Sequence, residues 1–465
     1  MQAARYTGPY CGGPSLGPLQ GDEGARRLLI FGGKLSVQRL RKRFPAARAH
    51  TVWCIGCSGS AEEDGAASGG AEPITLLQGS PSATESVASW ASRLANGSFD
   101  AVVDAGHRIA TGGGPVGALL EKSAMERLRE LWPLVSDGGR YYVDAIHPSE
   151  QASASATLTA WMEQLVLFQH PKVRVYRKKA GWAAATARVA KQPKLPSATS
   201  FVVAGPQSAI VSKVAAQPGS VNEVAFRTAA FAASPKQVTD KVLGGMDGHS
   251  YQRMYGALLM PMRNASTPGP RKMLEVGLGC GMRYGAGASA SLWQYLLPEA
   301  EKWEAEFDKA CVKNAIENKL LGDIHAVTGS SSNRTEVQGW VSESGGGFDV
   351  VIDDSGHSNR MVMTDLDELW PALLPGGVYF MEDLHVAHTE RYDDTDGKDV
   401  STDFLRALAS YLLGSGAQNH SQAALDAAAR APGAAYVLCQ EMACAIGRTC
   451  DASRDAVGDT QDVAG

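Results

Sequence analysis

No stretch of the 465-residue sequence is apolar over the roughly 18 residues that a membrane-crossing helix needs. The glycine- and proline-rich start, TGPYCGGPSLGP, also lacks the apolar centre of a secretion signal. An excess of positive charge is missing too. With 44 Lys and Arg against 49 Asp and Glu, a formal net charge of -5 and no basic stripe, nothing pulls the chain electrostatically toward nucleic acid or an anionic membrane. Cysteine is sparse: eight residues, scattered, which fits a reducing compartment. The expectation is a cytoplasmic protein, an organelle transit sequence being the alternative. One pair, Cys54 and Cys57, has thioredoxin-like spacing. The loop composition that follows it, SGSAEEDGAASGG, offers no helix N-terminus to stabilise a thiolate, so both read as ordinary cysteines.

What is present is a globular composition, 44% hydrophobic and 20% charged, in a chain long enough for two or three domains. Internal comparison divides it in two. SFDAVVDAGH (98 to 107) matches GFDVVIDDSGH (347 to 357), and LWPLVSDGGRYYVDAIH (131 to 147) matches LWPALLPGGVYFMEDLH (369 to 385) without a gap. LRKRFPAARAHTVWCI (40 to 55) mirrors LWQYLLPEAEKWEAEF (292 to 307) in the same order. Matches that keep their order and spacing imply two copies of one domain. The expected organisation is a tail over 1–26, a first copy over 27–215, a linker over 216–235, a second copy over 236–452 and a tail over 453–465.

Each copy alternates short apolar runs with amphipathic segments. In the second copy the runs are KMLEVGL, KWEAEF, DIHAVTG, FDVVIDD and VYFMED, and AAYVLCQEMACAIG closes it as a hairpin. Runs apolar on both faces predict an α/β fold, a mostly parallel sheet covered by helices on each side. In such sheets ligands sit at the carboxyl ends of the strands. Asp353, Asp354, Glu382 and Asp383 all fall at such ends.

The first strand of the second copy runs into LEVGLGCG, where Gly277 and Gly279 permit a tight turn and close approach of backbone to a ligand. Glu306, at the end of the next strand, is placed to receive ribose hydroxyls. A GxG turn and an acid about 30 residues on fit a dinucleotide or S-adenosylmethionine, and Met282 at the third glycine position counts against the dinucleotide. Asp354, Glu382 and Asp383 at adjacent strand ends would repel one another unless a cation joined them. Oxygen ligands select magnesium, calcium or manganese. His357 suits proton acceptance near neutral pH.

LEVGLGCG, VIDDSGH and PGGVYFMEDLH, preceded by TDKVLGGMDGHSYQRMYG (239 to 256), resemble the class I S-adenosylmethionine-dependent methyltransferases. The resemblance is to their metal-dependent branch of macrolide and rhamnosyl sugar O-methyltransferases, over residues 236 to 390. It implies a Rossmann-like fold of seven strands, which the internal match extends to two such domains in tandem, with S-adenosyl-L-methionine as cofactor, a divalent cation, usually Mg2+, and methyl transfer to a small-molecule hydroxyl on a sugar, polyketide or similar acceptor. Carried over, the cofactor-facing residues would be Glu275, Gly277, Gly279, Glu306, Ser330 and Asp353, the metal ligands Asp354, Glu382 and Asp383, and the base His357. The sequence departs from the family at Ser355-Gly356, where the order is reversed, and at Ser330, which stands where relatives carry an acid.

The first copy lacks this constellation. Ala145 stands opposite Asp383, Ala105 opposite Asp354, and LLIFGGKLS replaces the glycine turn. It is expected to keep the fold without the chemistry and to pair with the second copy or mediate self-association. Trp293, Trp340 and Trp370 read as core residues. Tyr251 and Tyr255 divide between packing and a role at the cofactor, and His385 and His388 are weaker site candidates. A non-catalytic scaffold and an NAD(P)-dependent oxidoreductase are the rival readings.

Overall fold

The computed structural model describes residues 27–31, 52–55, 75–76, 86–95, 97–104, 119, 122–143, 146–167, 187–216, 219–234, 236–246, 248–264, 272–283, 285–414 and 420–450. Both expected tails, Cys57, and the loops holding Ala105, His107, Asp144 and Ala145 lie outside them. The described strands are β1 (Leu28–Phe31), β2 (Val52–Ile55), β3 (Thr75–Leu76), β4 (Phe99–Asp104), β5 (Val135–Val143), β6 (Thr199–Gly205), β7 (Ser208–Lys213), β8 (Lys272–Val276), β9 (Glu301–Glu306), β10 (His325–Thr328), β11 (Phe348–Asp353), β12 (Leu373–Met381), β13 (Ala434–Gln440) and β14 (Ala443–Arg448).

They form one 14-stranded sheet in the order β10-β9-β8-β11-β12-β14-β13-β6-β7-β5-β4-β1-β2-β3. Read inward from either edge, the two sets of seven follow the same order: third, second, first, fourth, fifth, seventh, sixth. Within each set the first five strands are parallel and the seventh is antiparallel. The sets meet where β13 and β6 pair antiparallel, with Val437 opposite Ala204 and Leu438 opposite Val203.

Alternation along the strands sends successive side chains to opposite faces, and each face carries its own apolar core. Leu29, Val102, Val202, Leu274, Val351 and Val437 share one cluster. Leu28, Val103, Val203, Met273, Val350 and Leu438 share the other. Both clusters run through the β13–β6 seam, which is also bridged by the helices Gln151–Val166 and Ser401–Leu413, where Ser155 and Ser410 hydroxyls lie 3.0 Å apart.

Polar caps set the helix starts by accepting otherwise unpaired backbone N–H groups. Asp308 accepts from Ala310 and Cys311, and Ser358 from Met361. The residues 216–235 expected as a linker contain the helix Val221–Ala233, started by Ser220. It is held because Phe226 is fully buried and stacks on Tyr255, 5.2 Å between centroids, beside Trp293. Trp293, Trp340 and Trp370 are all buried, as their apolar settings predict. No helix among the described residues is long and apolar enough to cross a membrane.

Candidate active site

The carboxyl ends of β8, β9, β11 and β12 open onto a cavity of about 590 Å³. Its floor is the glycine turn. Gly277 has φ +115°, and a Cβ there would lie 2.1 Å from the Asp354 carbonyl oxygen. Only glycine lets the turn after β8 lie against the end of β11. The Gly277 N–H donates to Ala305 at 2.8 Å and the Asp354 N–H to Val276 at 3.0 Å, so the turn is pinned to β9 and β11.

Glu306 lines the cavity from β9. Its carboxylate accepts the Leu278 N–H at 3.2 Å and the Asp308 N–H at 3.0 Å, which fixes the acid beside the glycine turn. Ser330 lines the cavity at the end of β10. Its own acid is missing, but the Glu336 carboxylate, from the first turn of the helix Arg334–Ser344, accepts the Ser330 N–H from one helical turn further on. Trp340 completes that wall.

At the opposite end the cavity meets Asp354, His357 and Asp383. One donor atom from each lies within 4.8 Å of the others, a spacing that suits a shared cation. The two carboxylate oxygens are hard donors of the kind that suit magnesium or manganese completed by water, with the imidazole beside them. His357 and Asp383 adopt φ of +59° and +51°, a left-handed conformation that costs a non-glycine residue and collects at functional sites. His357 Nε2 lies 3.4 Å from Asp383 Oδ2. The other oxygen, Oδ1, accepts the Tyr251 hydroxyl at 2.7 Å and has His249 and His385 nitrogens at 3.8 and 3.7 Å. Burial works against the Asp383 charge, but His357, His249 and His385 together pull its carboxyl far below the usual range. Asp354 goes the other way: burial pushes it up to about 7, with Lys241 opposing.

Three expected site residues stand apart from the cavity. Glu382 points into the core, where its carboxylate accepts from the Tyr255 hydroxyl and from Lys241 Nζ at 2.9 Å. Burial raises its pKa well above the usual value. Glu275, expected at the cofactor, is fully buried beneath the glycine turn, accepting Trp293 Nε1 at 2.8 Å. Asp353, also expected at the cofactor, follows Val351 to the opposite face of the sheet from Asp354. It lies 2% exposed, accepts the Tyr379 hydroxyl at 3.4 Å, and neighbours the buried Asp365. The strand-end position suggested a cavity role, but the two-residue period decides the side.

Sequence reasoning missed Lys241. Its side chain is fully buried, and its ammonium lies 2.7 Å from Asp354, 2.9 Å from Glu382 and 3.2 Å from Glu275. It stands inside the quoted TDKVLGG stretch, yet no local pattern marks a lysine for the interior. Tyr251 and Tyr255 turn out to serve both packing and the site carboxylates. His388 is bonded instead to Thr402, 2.9 Å away. The expectation of reduced cysteines is corrected: Cys280, in the glycine turn, is bridged to Cys311 on the helix Lys309–Glu317, and Cys439 to Cys444 across the hairpin β13–β14. Folding brings the first pair together across 31 residues of sequence, which spacing alone does not reveal.

The first half shows a charge exchange at one point. Counting back from the gapless match, Arg127 and Tyr141 correspond to Asp365 and Tyr379, and Asp104 to Asp353. Asp104 accepts Arg127 Nε at 2.8 Å and the Tyr141 hydroxyl at 3.2 Å, all of it buried. A facing acid in one half is thus a guanidinium in the other.

No family model matches the chain. Mycinamicin VI 2''-O-methyltransferase of Micromonospora griseorubida is 30% identical over 120 residues, 25% of this chain and 28% of that protein. A rhamnosyl tetracenomycin-C 2'-O-methyltransferase of Streptomyces olivaceus is 26% identical over 170 residues, 35% of this chain and 41% of that one. Demethylmacrocin O-methyltransferase of Streptomyces fradiae is 30% identical over 121 residues, 25% and 28%. The chain therefore spans less than half the length of these curated relatives. Among solved structures, the MycE methyltransferase in complex with Mg, SAH and mycinamycin VI aligns with a TM-score of 0.37 at 20% identity, over 50% of this chain and 56% of that one. Over the stretches that these matches span, the chain is similar to O-methyltransferases of macrolides and rhamnosyl sugars.

Proposed function

We propose that the chain is an S-adenosylmethionine-dependent O-methyltransferase acting on the hydroxyl of a sugar, polyketide or similar small molecule, with its site in a second domain over 236–452. The observation that carries this reading is one cavity with two chemically different ends. The glycine turn, Glu306 and Ser330 line one end, and Asp354, His357 and Asp383 the other.

Bound there, the cofactor would supply a methyl group on a sulfonium, and a divalent cation would supply Lewis acidity to the acceptor hydroxyl. Glu306 would hold the ribose hydroxyls, and the backbone at Gly277 and Gly279 would let the methionyl moiety lie close. Asp354 and Asp383 would hold the cation. His357 would take the hydroxyl proton at Nε2, its imidazolium stabilised by Asp383, 3.4 Å away. Proximity of the two ends supplies the rest, since a methyl transfer needs donor and acceptor in line.

The first half, 27–215, is proposed to be a copy that keeps the strand order and has lost the chemistry. Its buried Arg127–Asp104 pair supports this, as does its edge-to-edge union with the second half. We assign it the role of intramolecular partner rather than of a second enzyme. The whole reading is tested by calorimetry of the full chain with S-adenosylhomocysteine and NADH in parallel. One equivalent of S-adenosylhomocysteine and no NADH is expected. Binding of neither would return the chain to a scaffold role, and two equivalents would mean that the first half is not degenerate.

A further inference from the structure

The glycine turn and Glu306 are joined by more than hydrogen bonds. Cys280 stands in the turn between Gly279 and Gly281 and lines the cavity. Its sulfur is bonded to that of Cys311, in the first turn of the helix Lys309–Glu317. Asp308, which caps this helix, accepts the Cys311 N–H at 3.0 Å and donates its own N–H to Glu306 Oε1 at 3.0 Å. Glu306 Oε2 accepts the Leu278 N–H at 3.2 Å, back in the turn. The disulfide therefore closes a ring that runs from the turn to the helix, its cap, Glu306 and the turn again.

Opening that one bond leaves the turn with weak holds. Between Leu278 and Gly287 its described backbone bonds are internal: Met282 N–H to Gly279 and Gly285 N–H to Met282, both at 3.0 Å. Cys280 packs on a small apolar cluster of Leu278, Ala290, Val312, Ala315, Leu321 and Ile324, which is separate from the two cores that cover the sheet. Both cysteines are half-buried, so a small thiol can reach them. The hairpin pair Cys439 and Cys444 differs, at 1% and 0% exposed. Cys311 lies at the third helical position, where the helix N-terminus stabilises a thiolate and makes its sulfur a good leaving group.

We propose that the Cys280–Cys311 bridge is a redox switch on the cofactor site. It rests on the S-adenosylmethionine reading above. Bridged, the turn and Glu306 are held in one arrangement before the ligand arrives, and a loop fixed in its bound form binds more tightly because less ordering remains to be done. Opened, the turn must be ordered by the ligand. A tenfold loss, about 1.4 kcal/mol, is on the order of fixing the backbone of one residue. The reductant is a dithiol: its thiolate attacks Cys280 Sγ, Cys311 leaves as a thiolate, and the second thiol of the reductant displaces Cys280 as it closes its own disulfide. Two electrons and two protons pass to the protein, which ends with two thiols. Coupling is reciprocal, so a ligand that prefers the bridged form makes the bridge harder to reduce by the same factor.

The test uses the full chain, oxidised with glutathione disulfide or reduced with dithiothreitol. The state of Cys280 and Cys311 is read by alkylation and peptide mass, and S-adenosylhomocysteine affinity by calorimetry. Reduction should weaken binding at least about tenfold. Cys311→Ser, whose sulfur lies outside the cavity, should bind like the reduced wild type and ignore dithiothreitol, whereas Cys439→Ala with Cys444→Ala should keep the response. In dithiothreitol redox buffers, saturating S-adenosylhomocysteine should move the midpoint of the Cys280–Cys311 couple about 30 mV more negative for each tenfold difference in affinity. Affinity within about twofold in the two states, or tighter binding on reduction, would overturn the switch and leave the cofactor reading standing. So would free thiols at both positions after treatment with glutathione disulfide. Binding in neither state would remove the cofactor reading and the switch with it.

Discussion

Arg127→Met should unlock the first half of the molecule. The guanidinium lies 2.8 Å from Asp104, and the two side chains are 2% and 1% exposed. Burial alone would lower the Arg127 pKa, but Asp104 reverses this and raises it, so the pair is ionised in the fold. Methionine fills similar volume without charge. It leaves Asp104 in the interior with the Tyr141 hydroxyl at 3.2 Å as its remaining side-chain donor of those bonds. Breaking one side of a buried pair costs about 3–5 kcal/mol, whereas removing both sides is often close to neutral. Asp104→Asn with Arg127→Met should therefore recover to within about 1 kcal/mol of the wild type. Because a chain of this size is not expected to unfold in one step, the readout is amide hydrogen exchange in β4 and β5, where the local opening free energy is measured directly. The single variant should lose protection by at least about a hundredfold, and the double variant should regain most of it. A loss below about fivefold in the single variant would show that the pair does not hold this half together. Binding of S-adenosylhomocysteine should be unaffected throughout, since its proposed site lies more than a hundred residues away in the second half.

Three further outcomes are expected. Gly277→Ala places a Cβ 2.1 Å from the Asp354 carbonyl at a φ of +115°, so it should weaken S-adenosylhomocysteine binding more than about tenfold and lower the melting temperature by several degrees; calorimetry showing wild-type affinity would refute the turn's role. Asp353 is raised to about 6, and Asp365 well above its usual value, both first by burial. The native state therefore keeps protons that the unfolded chain releases near pH 4, and this pair makes stability fall as pH rises from about 4 through 6 and beyond. Asp365→Asn should flatten that fall and raise the melting temperature at pH 8 relative to pH 4.5, and an unchanged pH profile would count against a buried acid pair. Finally, residues 236–452 expressed alone would expose the β13 edge and the apolar face of Ser401–Leu413 that the first half covers. Sedimentation should show self-association, and a soluble monomer would remove the proposed need for the first half.

Much of this was legible in the order of the residues. Apolar runs such as VVI and VYFM announce buried parallel strands because a strand covered on both faces needs no polar alternation. The glycine turn could be read from LEVGLGCG, because the positive φ at Gly277 and Gly279 excludes side chains. The acids at strand ends followed from where strands stop, and His357 from its three-residue distance to Asp354. These are local facts, settled within a few residues of one another. Which acid faces the cavity was not local in the same way. Asp353 and Asp354 are neighbours in sequence but lie on opposite sides of the sheet, and only the register of β11 between β8 and β12 says which side is wet. Lys241, Glu336 and Arg127 are ordinary surface-type residues in sequence. Each became part of a buried or bonded network because distant strands converge on it, and a charge goes inside only when its partners are already there. The union of the halves through β13 and β6 is likewise invisible in either half: an edge strand's open hydrogen bonds specify that something will pair with it, and only the assembled sheet decides what.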